Sequence, residues 1–417
     1  MPRSGWRLET ISGLAEIDSA DWDSCAVPES VSQAPQANDT SREPADSASE
    51  APESSWQEDP LNPFVSYAFL LSLEESGCVG DSTGWHPLHQ VLRDETGRIA
   101  AVVPCYAKSH SQGEYVFDHG WADAFERAGG RYYPKLQIAV PFTPVTGPRL
   151  LIRNGVDRAA ARAVLAEALL RLPEKLGASS IHATFLQGAD AAALETAGWL
   201  IRQDRQFHWN NDGYRSFDDF LARLSSRKRK AIRRERAEAL APGIVVEALT
   251  GSSISEGDWD AFFAFYMDTG SRKWGRPYLN RRFFSLIAER MAEKIVLIIA
   301  RREGRPIAGA INFLGRNTLY GRNWGAIEHH PFLHFEVCYY QAIDYAIRRG
   351  LARVEAGAQG EHKLARGYVP TTIQSAHGIV HPGFRRAVAE YLAREREHVS
   401  EDTRELAALA PFRRDQA

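Results

Sequence analysis

Cysteine is scarce in this chain. Cys25, Cys78, Cys105 and Cys338 are the only four, and none forms a CxxC pair. That spacing argues against a disulfide framework and against a zinc-thiolate site, and it fits a reducing compartment. A dominant sign of charge is missing too. Fifty Lys and Arg stand against 53 Asp and Glu, and the formal charge of -3 over 417 residues is too small for wholesale coating by nucleic acid. It leaves room only for a local basic patch. No apolar run is long enough to span a bilayer: the stretch Ile295 to Ala300 is typical of those present. The first residues, Met1 to Arg7, contain no apolar core of a signal peptide. A cytoplasmic protein with no transmembrane segment is expected.

What remains is ordinary globular material. Hydrophobic residues make up 44% and charged residues 25%, close to the averages for folded domains, and the length calls for two domains. One window departs from this composition. Pro28 to Asp59 holds eight Asp/Glu, one Arg and almost no large apolar side chain, so it cannot bury enough surface to offset chain entropy. It reads as a disordered acidic insertion, because the short strand before it, Trp6 to Ile11, cannot make a domain. The expected organisation is a first unit over 1–27 and 60–210, the insertion at 28–59, a second unit over 211–398, and a C-terminal tail at 399–417.

Periodicity supplies the elements. Strands are expected at Pro87 to Arg93 and Ile99 to Tyr106, a helix at Arg158 to Leu172, a strand at Ile181 to Phe185, a helix at Ala189 to Ala197 and a strand at Trp199 to Trp209. The second half repeats this with helices at Phe217 to Ala239, Trp259 to Thr269 and Arg281 to Met291. Strands at Ile244 to Leu249, Ile295 to Arg301, Ile307 to Phe313 and Thr318 to Trp324 accompany them, and a helix at His334 to Arg349 follows. Val354 to Ala356 reads as a strand and Phe384 to His398 as a last helix. This is an α/β chain with α+β mixed sheets, two copies of one unit joined near 205–225.

Four stretches carry candidate chemistry. Arg227 to Arg236, RKRKAIRRER, has seven basic residues and one acid. At helical spacing Arg229, Lys230, Arg233, Arg234 and Arg236 share one arc, suited to phosphate or nucleic-acid backbone; a solvated face partnered by the acidic insertion explains it equally well. His329, His330, His334 and Glu336 look inviting for a metal, but the HExxH order is absent and no metal is expected. Lys108 to Lys135 crowds Glu114, Tyr115, Asp118, Trp121, Tyr132 and Lys135 into one segment, either a recognition loop for carbohydrate or peptide or a plug at the domain interface. The Pro-rich run Val140 to Pro148 frames it. The most informative stretch is Val354-Glu355-Ala356-Gly357-Ala358-Gln359-Gly360-Glu361-His362-Lys363-Leu364-Ala365-Arg366-Gly367-Tyr368. A connecting loop needs its glycines but not its carboxylate, imidazole, ammonium and guanidinium, and binding groups concentrate on such loops.

These segments, with AVPFTPVTGPRLL and HFEVCYYQAIDYAI, resemble the FemAB-like family of the GNAT acyltransferase superfamily over roughly residues 60 to 398. The resemblance implies tandem GNAT-like domains of the acyl-CoA N-acyltransferase type. It also implies an N-acyltransferase acting on an amine acceptor, with a cell-wall precursor as one candidate. No tightly bound cofactor is implied, and the acyl donor is either aminoacyl-tRNA or acyl-CoA. In an acetyltransferase a glycine-rich turn before the helix at His334 cradles pyrophosphate; here no glycine lies between Gly325 and that helix, which favours the Fem branch. By resemblance the basic helix at 227–236 would contact tRNA, and Lys363, Gly367 and Tyr368 match the Fem loop after the last parallel strand. The chain lacks the long helical arm of many Fem proteins between Ala239 and Val296. In such a transferase Glu336, Glu361 or His362 would relay the amine proton. Arg322, Lys363 or the amides of Tyr320 to Trp324 would hold the oxyanion. Arg229, Arg233, Arg322, Trp324, Arg366 and Tyr368 complete the expected substrate contacts. The rival reading is a non-catalytic module that binds cell-wall peptide or sugar in the same groove.

Overall fold

A computed structural model of the chain describes residues 5–27, 59–241, 243–274, 277–357 and 360–413. The expected acidic insertion lies outside them except for its last residue. Asp59 is anchored: its carboxylate accepts from the backbone N–H groups of Leu61 at 2.9 Å, Arg316 at 3.0 Å and Asn317 at 2.8 Å. The order expected from residue 60 therefore begins one residue earlier.

The strands of the first half are β1 (Arg7–Ile11), β2 (Trp85–Pro87), β3 (His89–Arg93), β4 (Ile99–Val103), β5 (Cys105–Lys108), β6 (Lys135–Ile138), β7 (Leu151–Ile152), β8 (Ser180–Leu186) and β9 (Leu200–Asn210). Those of the second are β10 (Ile244–Thr250), β11 (Ile295–Arg302), β12 (Arg305–Leu314), β13 (Thr318–Ala326), β14 (Arg353–Glu355) and β15 (Val369–Ile379). Helices α1 (Ser19–Ala26), α2 (Tyr67–Glu75), α3 (His119–Arg127), α4 (Arg158–Leu170), α5 (Leu172–Leu176) and α6 (Gly188–Thr196) belong to the first half. The second half has α7 (Phe217–Arg223), α8 (Ser226–Leu240), α9 (Glu256–Trp274), α10 (Arg281–Met291), α11 (residues 333–348) and α12 (Pro382–Ala408).

Most elements fall where periodicity puts them, because caps and stripes agree. Asn280 caps α10 by accepting from Phe283 N–H, and the helix buries Phe283, Phe284 and Ile287 on one face. Strand β11 is apolar from Ile295 to Ala300 because both its faces are covered. Ile295, Leu297 and Ile299 point into one core, Val296, Ile298 and Ala300 into another. The expected single helix at 217–239 is broken. Leu224 adopts extended backbone between α7 and α8, and Ser216 with Asp219 forms a capping box at the start of α7. Among the elements that were not expected are α3, inside the aromatic segment, and the eleven-residue β15.

Strand β15 governs the topology. One sheet of eleven strands runs β10-β11-β12-β13-β14-β9-β15-β8-β6-β5-β2, beside a four-stranded sheet β1-β3-β4-β7. Although it comes from the C-terminal end, β15 inserts between β8 and β9 of the first half, antiparallel to both. Strand β9 in turn pairs with β14. The halves thus exchange strands across a continuous sheet, and a boundary at 210/211 divides the chain but not the sheet. The expected tail at 399–417 is corrected in part. Helix α12 continues to Ala408 and Phe412 bridges to Leu224, so most of it packs. Helix α9 lies close on β13 at Gly325, where a Cβ would sit 2.1 Å from the Phe265 carbonyl oxygen; only glycine allows that approach. No helix among the described residues is long and apolar enough to cross a membrane.

Candidate active site

Strands β13 and β14 run parallel, but they pair only from Thr318↔Arg353 to Tyr320↔Glu355. Beyond Tyr320 they separate. Gly321 stands at the fork, where a Cβ would lie 3.4 Å from the Glu355 carbonyl oxygen. On its other edge β13 pairs with β12 through Ala310↔Trp324 and Asn312↔Gly321. Arg322 and Asn323 therefore face Ile311 alone, a bulge of two residues against one. A bulge disrupts the ladder locally, and here it does so at the fork between two parallel strands. A cavity of about 80 Å³ opens there, lined by Gly321, Arg322, Asn323, His334, Cys338 and Tyr339. It shares Trp324 and His334 with a larger one of about 620 Å³ under the turn before α11.

Helix α11 closes this space and is itself irregular. Leu333–Phe335 is α-helical, Glu336–Tyr340 is a π turn, and Gln341–Arg348 returns to α. Such single π turns widen the helix and recur at functional sites. The turn aims His334 at Trp324, with ring centroids 5.2 Å apart, and brings the Tyr339 hydroxyl to 2.9 Å from His362 Nε2.

Backbone strain gathers nearby. Five non-glycine residues among those described have left-handed φ, and four are aromatic: Tyr115, Phe142, Phe185 and Phe332. Bulky residues rarely tolerate that region, and its use clusters at ligand sites. Phe332 lines the larger cavity, while Tyr115 and Phe185 pack together with Val116 and Ile373. Phe142 offers its carbonyl to Arg322 NH2 at 2.7 Å and stacks on Tyr278 at 4.8 Å. The Pro-rich segment is held as expected: Arg149, fully buried, donates to the carbonyls of Val145, Pro148 and Thr184.

Several expected site residues take other roles. Lys363 was expected to project its charge from the loop. Instead it is 1% exposed, donates to the Gly357 carbonyl at 2.9 Å, and is pushed down to about 8 by burial. Glu336 was expected to relay a proton, but it is fully buried in a fork with Arg236, whose Nε and NH2 donate at 3.0 and 2.9 Å; Gln341 donates a further bond. Its lone pairs are spent on holding α8 to α11. Arg366 does the same for the loop, donating to Glu235 at 2.9 Å and covering Phe335 at 3.4 Å. Tyr368 is fully buried against Tyr339. His362 is exposed beside the cavity wall, and the side chain of Glu361 lies outside the described residues. Of the basic arc, Arg233 is exposed and pairs with Asp218, Arg229 is half-buried, and Arg236 turns inward to Glu336.

The aromatic segment is likewise not an open recognition loop. Lys135, fully buried, donates to Ser111 and Glu114 at 2.7 Å each and to Asp118. Tyr132 donates to Asp118 at 2.6 Å, and Trp121 packs edge-on against His377 at 4.9 Å. His377 and His182 share a 2.7 Å contact between their Nδ1 atoms, which ties β15 to β8. Burial pushes Glu114 up to about 7 and His182 down to about 3. Burial also pushes Asp118 up, but Lys135 outweighs it and holds that carboxyl below the usual carboxylate range. Only Tyr115 of this group reaches toward Arg322, whose charge acts on its hydroxyl.

Two functional candidates escape sequence reading. Glu355 and His208 are opposite partners on β14 and β9, exposed by 5% and 3%. Glu355 Oε2 and His208 Nδ1 have no hydrogen-bond partner. Burial raises Glu355 to about 7 and lowers His208 to about 3. An acidic residue ending a three-residue strand gives no signal of this; the burial comes from β9 crossing over from the other half.

The solved structures that this chain resembles show its fold. FemX superposes with a TM-score of 0.50 at 12% identity, over 79% of this chain and 96% of that one. A tandem GNAT protein of the clavulanic acid biosynthesis pathway gives a TM-score of 0.42 at 11% identity, over 90% and 99%. L-PGS from Bacillus licheniformis gives 0.47 at 10%, over 81% and 99%. None of the curated protein sequences matches the chain. Together with FemX, the mixed sheet with its forked parallel pair in the second half makes this a tandem GNAT-like fold. The model of the FemAB-like family, described by peptidoglycan biosynthesis and recognition, matches residues 13–414, and the chain belongs to that family.

Proposed function

We propose that the protein is an N-acyltransferase that carries an aminoacyl group from aminoacyl-tRNA to an amine, with a cell-wall precursor as the acceptor. The observation that carries this reading is the β13 bulge at the β13–β14 fork. Arg322 and Asn323, which face one residue of β12 at the bulge, border a cavity, and preorganised N–H donors at such a place are what an acyl-transfer oxyanion needs. The amine nitrogen would bond to the acyl carbon while the ester C–O bond breaks, and the amine proton would end on the departing ribose oxygen.

The choice of donor rests on the turn before α11. Partly buried Glu328 is gripped there by Arg302 and Arg305 and by His330. Ala326 to Leu333 offers no glycine amides for a pyrophosphate. The larger cavity has an aromatic wall of Trp324, Phe332 and Phe335 with Arg272 and His329 beside it. That combination suits stacking of a terminal nucleoside better than a coenzyme A cradle. The basic helix α8 supports a tRNA contact through Arg229 and Arg233. Filter retention with alanyl-tRNA against calorimetry with acetyl-CoA tests the reading. Retention of alanyl-tRNA at micromolar protein with no heat from acetyl-CoA is expected. The reverse would make the protein an acyl-CoA enzyme, and binding of neither alongside binding of muropeptide would make it a recognition module.

A further inference from the structure

Glu355 and His208 have no part in the fold that would account for their burial. Each ends in an atom without a partner, Oε2 and Nδ1, and leaving such atoms dry costs free energy that a structural role would recover through bonding. Their surroundings are ordered nonetheless. Gln206 donates from Nε2 to the Pro144 carbonyl at 2.9 Å, which fixes its amide so that Oε1 accepts from His208 Nε2 at 3.2 Å. The proton of His208 is thereby placed on Nε2, and the Nδ1 lone pair is left facing Glu355 Oε1 at 3.9 Å. The chain Pro144–Gln206–His208–Glu355 ends at the fork, since Glu355 is the β14 residue paired with Tyr320, two positions before the bulge.

We propose that Glu355 is the base that takes the amine proton in the transfer reaction, and that His208 is the residue that positions it. This rests on the reading of the protein as an acyltransferase. The nitrogen–carbon bond forms as an N–H proton passes to the Glu355 carboxylate. Glu355, its new O–H facing the His208 Nδ1 lone pair, returns that proton as the ester C–O bond breaks and the ribose oxygen leaves protonated. No oxidant, metal or further reactant enters. The groups facing Glu355 suit the task. Arg353 NH1 lies 3.6 Å away and favours the anion. Asp59 opposes it and Arg322 favours it, both more weakly than burial, and Tyr320 shares its field from β13. Lys363 acts on His208 and helps keep it neutral. The carboxyl consequently titrates near pH 7, where a general base is most useful.

The experiment compares two acceptors with alanyl-tRNA as donor. α-N-Acetyl-lysine is protonated at neutral pH and must shed its proton, whereas hydroxylamine is largely unprotonated there and its weakly basic nitrogen, once bonded to carbon, loses its proton to water without help from a base. Glu355→Gln should slow transfer to the lysine amine by about 10²-fold or more and remove the rise in rate around pH 7, while transfer to hydroxylamine stays close to wild type. His208→Gln should lower the lysine rate less and displace the pH midpoint. Equal losses with both acceptors, or no loss with either, would overturn the proposal. If the wild-type protein acylates neither amine, the acyltransferase reading fails, and the proton site is judged by titration of ¹³C-labelled glutamate in the full chain. A carboxyl signal moving near neutrality, absent in Glu355→Gln and shifted in His208→Gln, is expected. A Glu355 signal that titrates in the ordinary carboxylate range would overturn it whatever the substrate.

Discussion

Each half of the molecule buries a cluster of ionisable side chains, and the two clusters are bonded in opposite ways. Around Lys135 in the first half, one ammonium meets Ser111, Glu114 and Asp118 at bonding distance, and Tyr132 donates to the same Asp118. The spare carboxylate oxygens there belong to groups already neutralised by a lysine. Around Glu355 in the second half, the nearest cationic atom is at 3.6 Å and the imidazole at 3.9 Å. One oxygen and one ring nitrogen have no hydrogen-bond partner. The closed cluster holds its ammonium charged: burial opposes the charge of Lys135, yet Glu114 and Asp118 outweigh burial and raise its pKa. An open cluster retains the capacity to change state, which is what proton transfer requires. The comparison separates a buried group that holds the fold from one that can act.

The largest effect tests the closed side. Lys135→Met would leave Asp118 in the interior without its bonded cation and Glu114 with only Lys108, 3.9 Å away, as counter-charge. Breaking a buried ion pair from one side costs about 3–5 kcal/mol, so urea denaturation should show a loss of that size or no folded protein at all. A loss under about 1 kcal/mol would mean that water reaches the cluster and that it is no lock. Arg236→Ala is the next in size, because it leaves Glu336 fully buried with only Gln341 as donor. Arg236 is itself partly exposed, so a cost of about 2 kcal/mol is expected. Activity scaled to folded protein should be unchanged. A drop in activity with unchanged stability would return Glu336 to the reaction.

The open side should respond to pH instead. Burial raises the folded-state pKa of Glu355 to about 7, above its ordinary value. Its contribution to stability is therefore fully present below about pH 4.5 and lost as pH rises through 7. His208 has the opposite sign: burial lowers it to about 3, so its contribution is present above its ordinary range and lost as pH falls through 3. Replacing Glu355 by Gln removes the first term alone. The variant should melt a few degrees above wild type at pH 8.5, given about 4 °C or less per kcal/mol for a chain of this size, and level with it near pH 5. Glu114, also near 7, is common to both proteins and cancels. A constant difference across pH would show that Glu355 is stabilised as an anion, and the open reading would fall.

How much of this was visible in the sequence depends on what buries each residue. Helix α10 was legible because Asn280 caps it and its own Phe283, Phe284 and Ile287 form the buried face; everything needed is local. Strand β15 was not. Its residues Thr371, Thr372, Gln374, Ser375 and His377 read as a polar loop, and they become strand only because β8 and β9 flank them and His182 meets His377. The same holds for the site. The loop at 361–368 was legible as chemically dense, but the inward turn of Lys363 depends on Gly357 and on the strands around it. Glu355 and His208 lie 147 positions apart in the numbering, and only strand exchange between the halves makes them neighbours.

The smallest effect on stability concerns the surface and sharpens the comparison from outside. Arg233 pairs with Asp218 where both side chains are mostly exposed, and Arg229 is half-buried with no packing role seen for its charge. Exposed ion pairs contribute little, so reversing both arginines to Glu should cost within about 0.5 kcal/mol each, in contrast to either buried cluster. If α8 contacts the tRNA backbone, the same double variant should bind alanyl-tRNA more weakly. The slope of log affinity against log salt should then be shallower by roughly two, since each lost phosphate contact removes about 0.7–0.9 from it. Both changes can be read from one filter-retention series over salt, with a melting curve as the control. An unchanged salt slope would remove α8 from the tRNA surface and assign its cations to solubility and to the Glu235, Arg236 and Glu336 contacts beneath them. Early melting would mean instead that the exposed arc helps to hold α8 against α7, and that the boundary between surface charge and structural charge lies further out than the two buried clusters indicate.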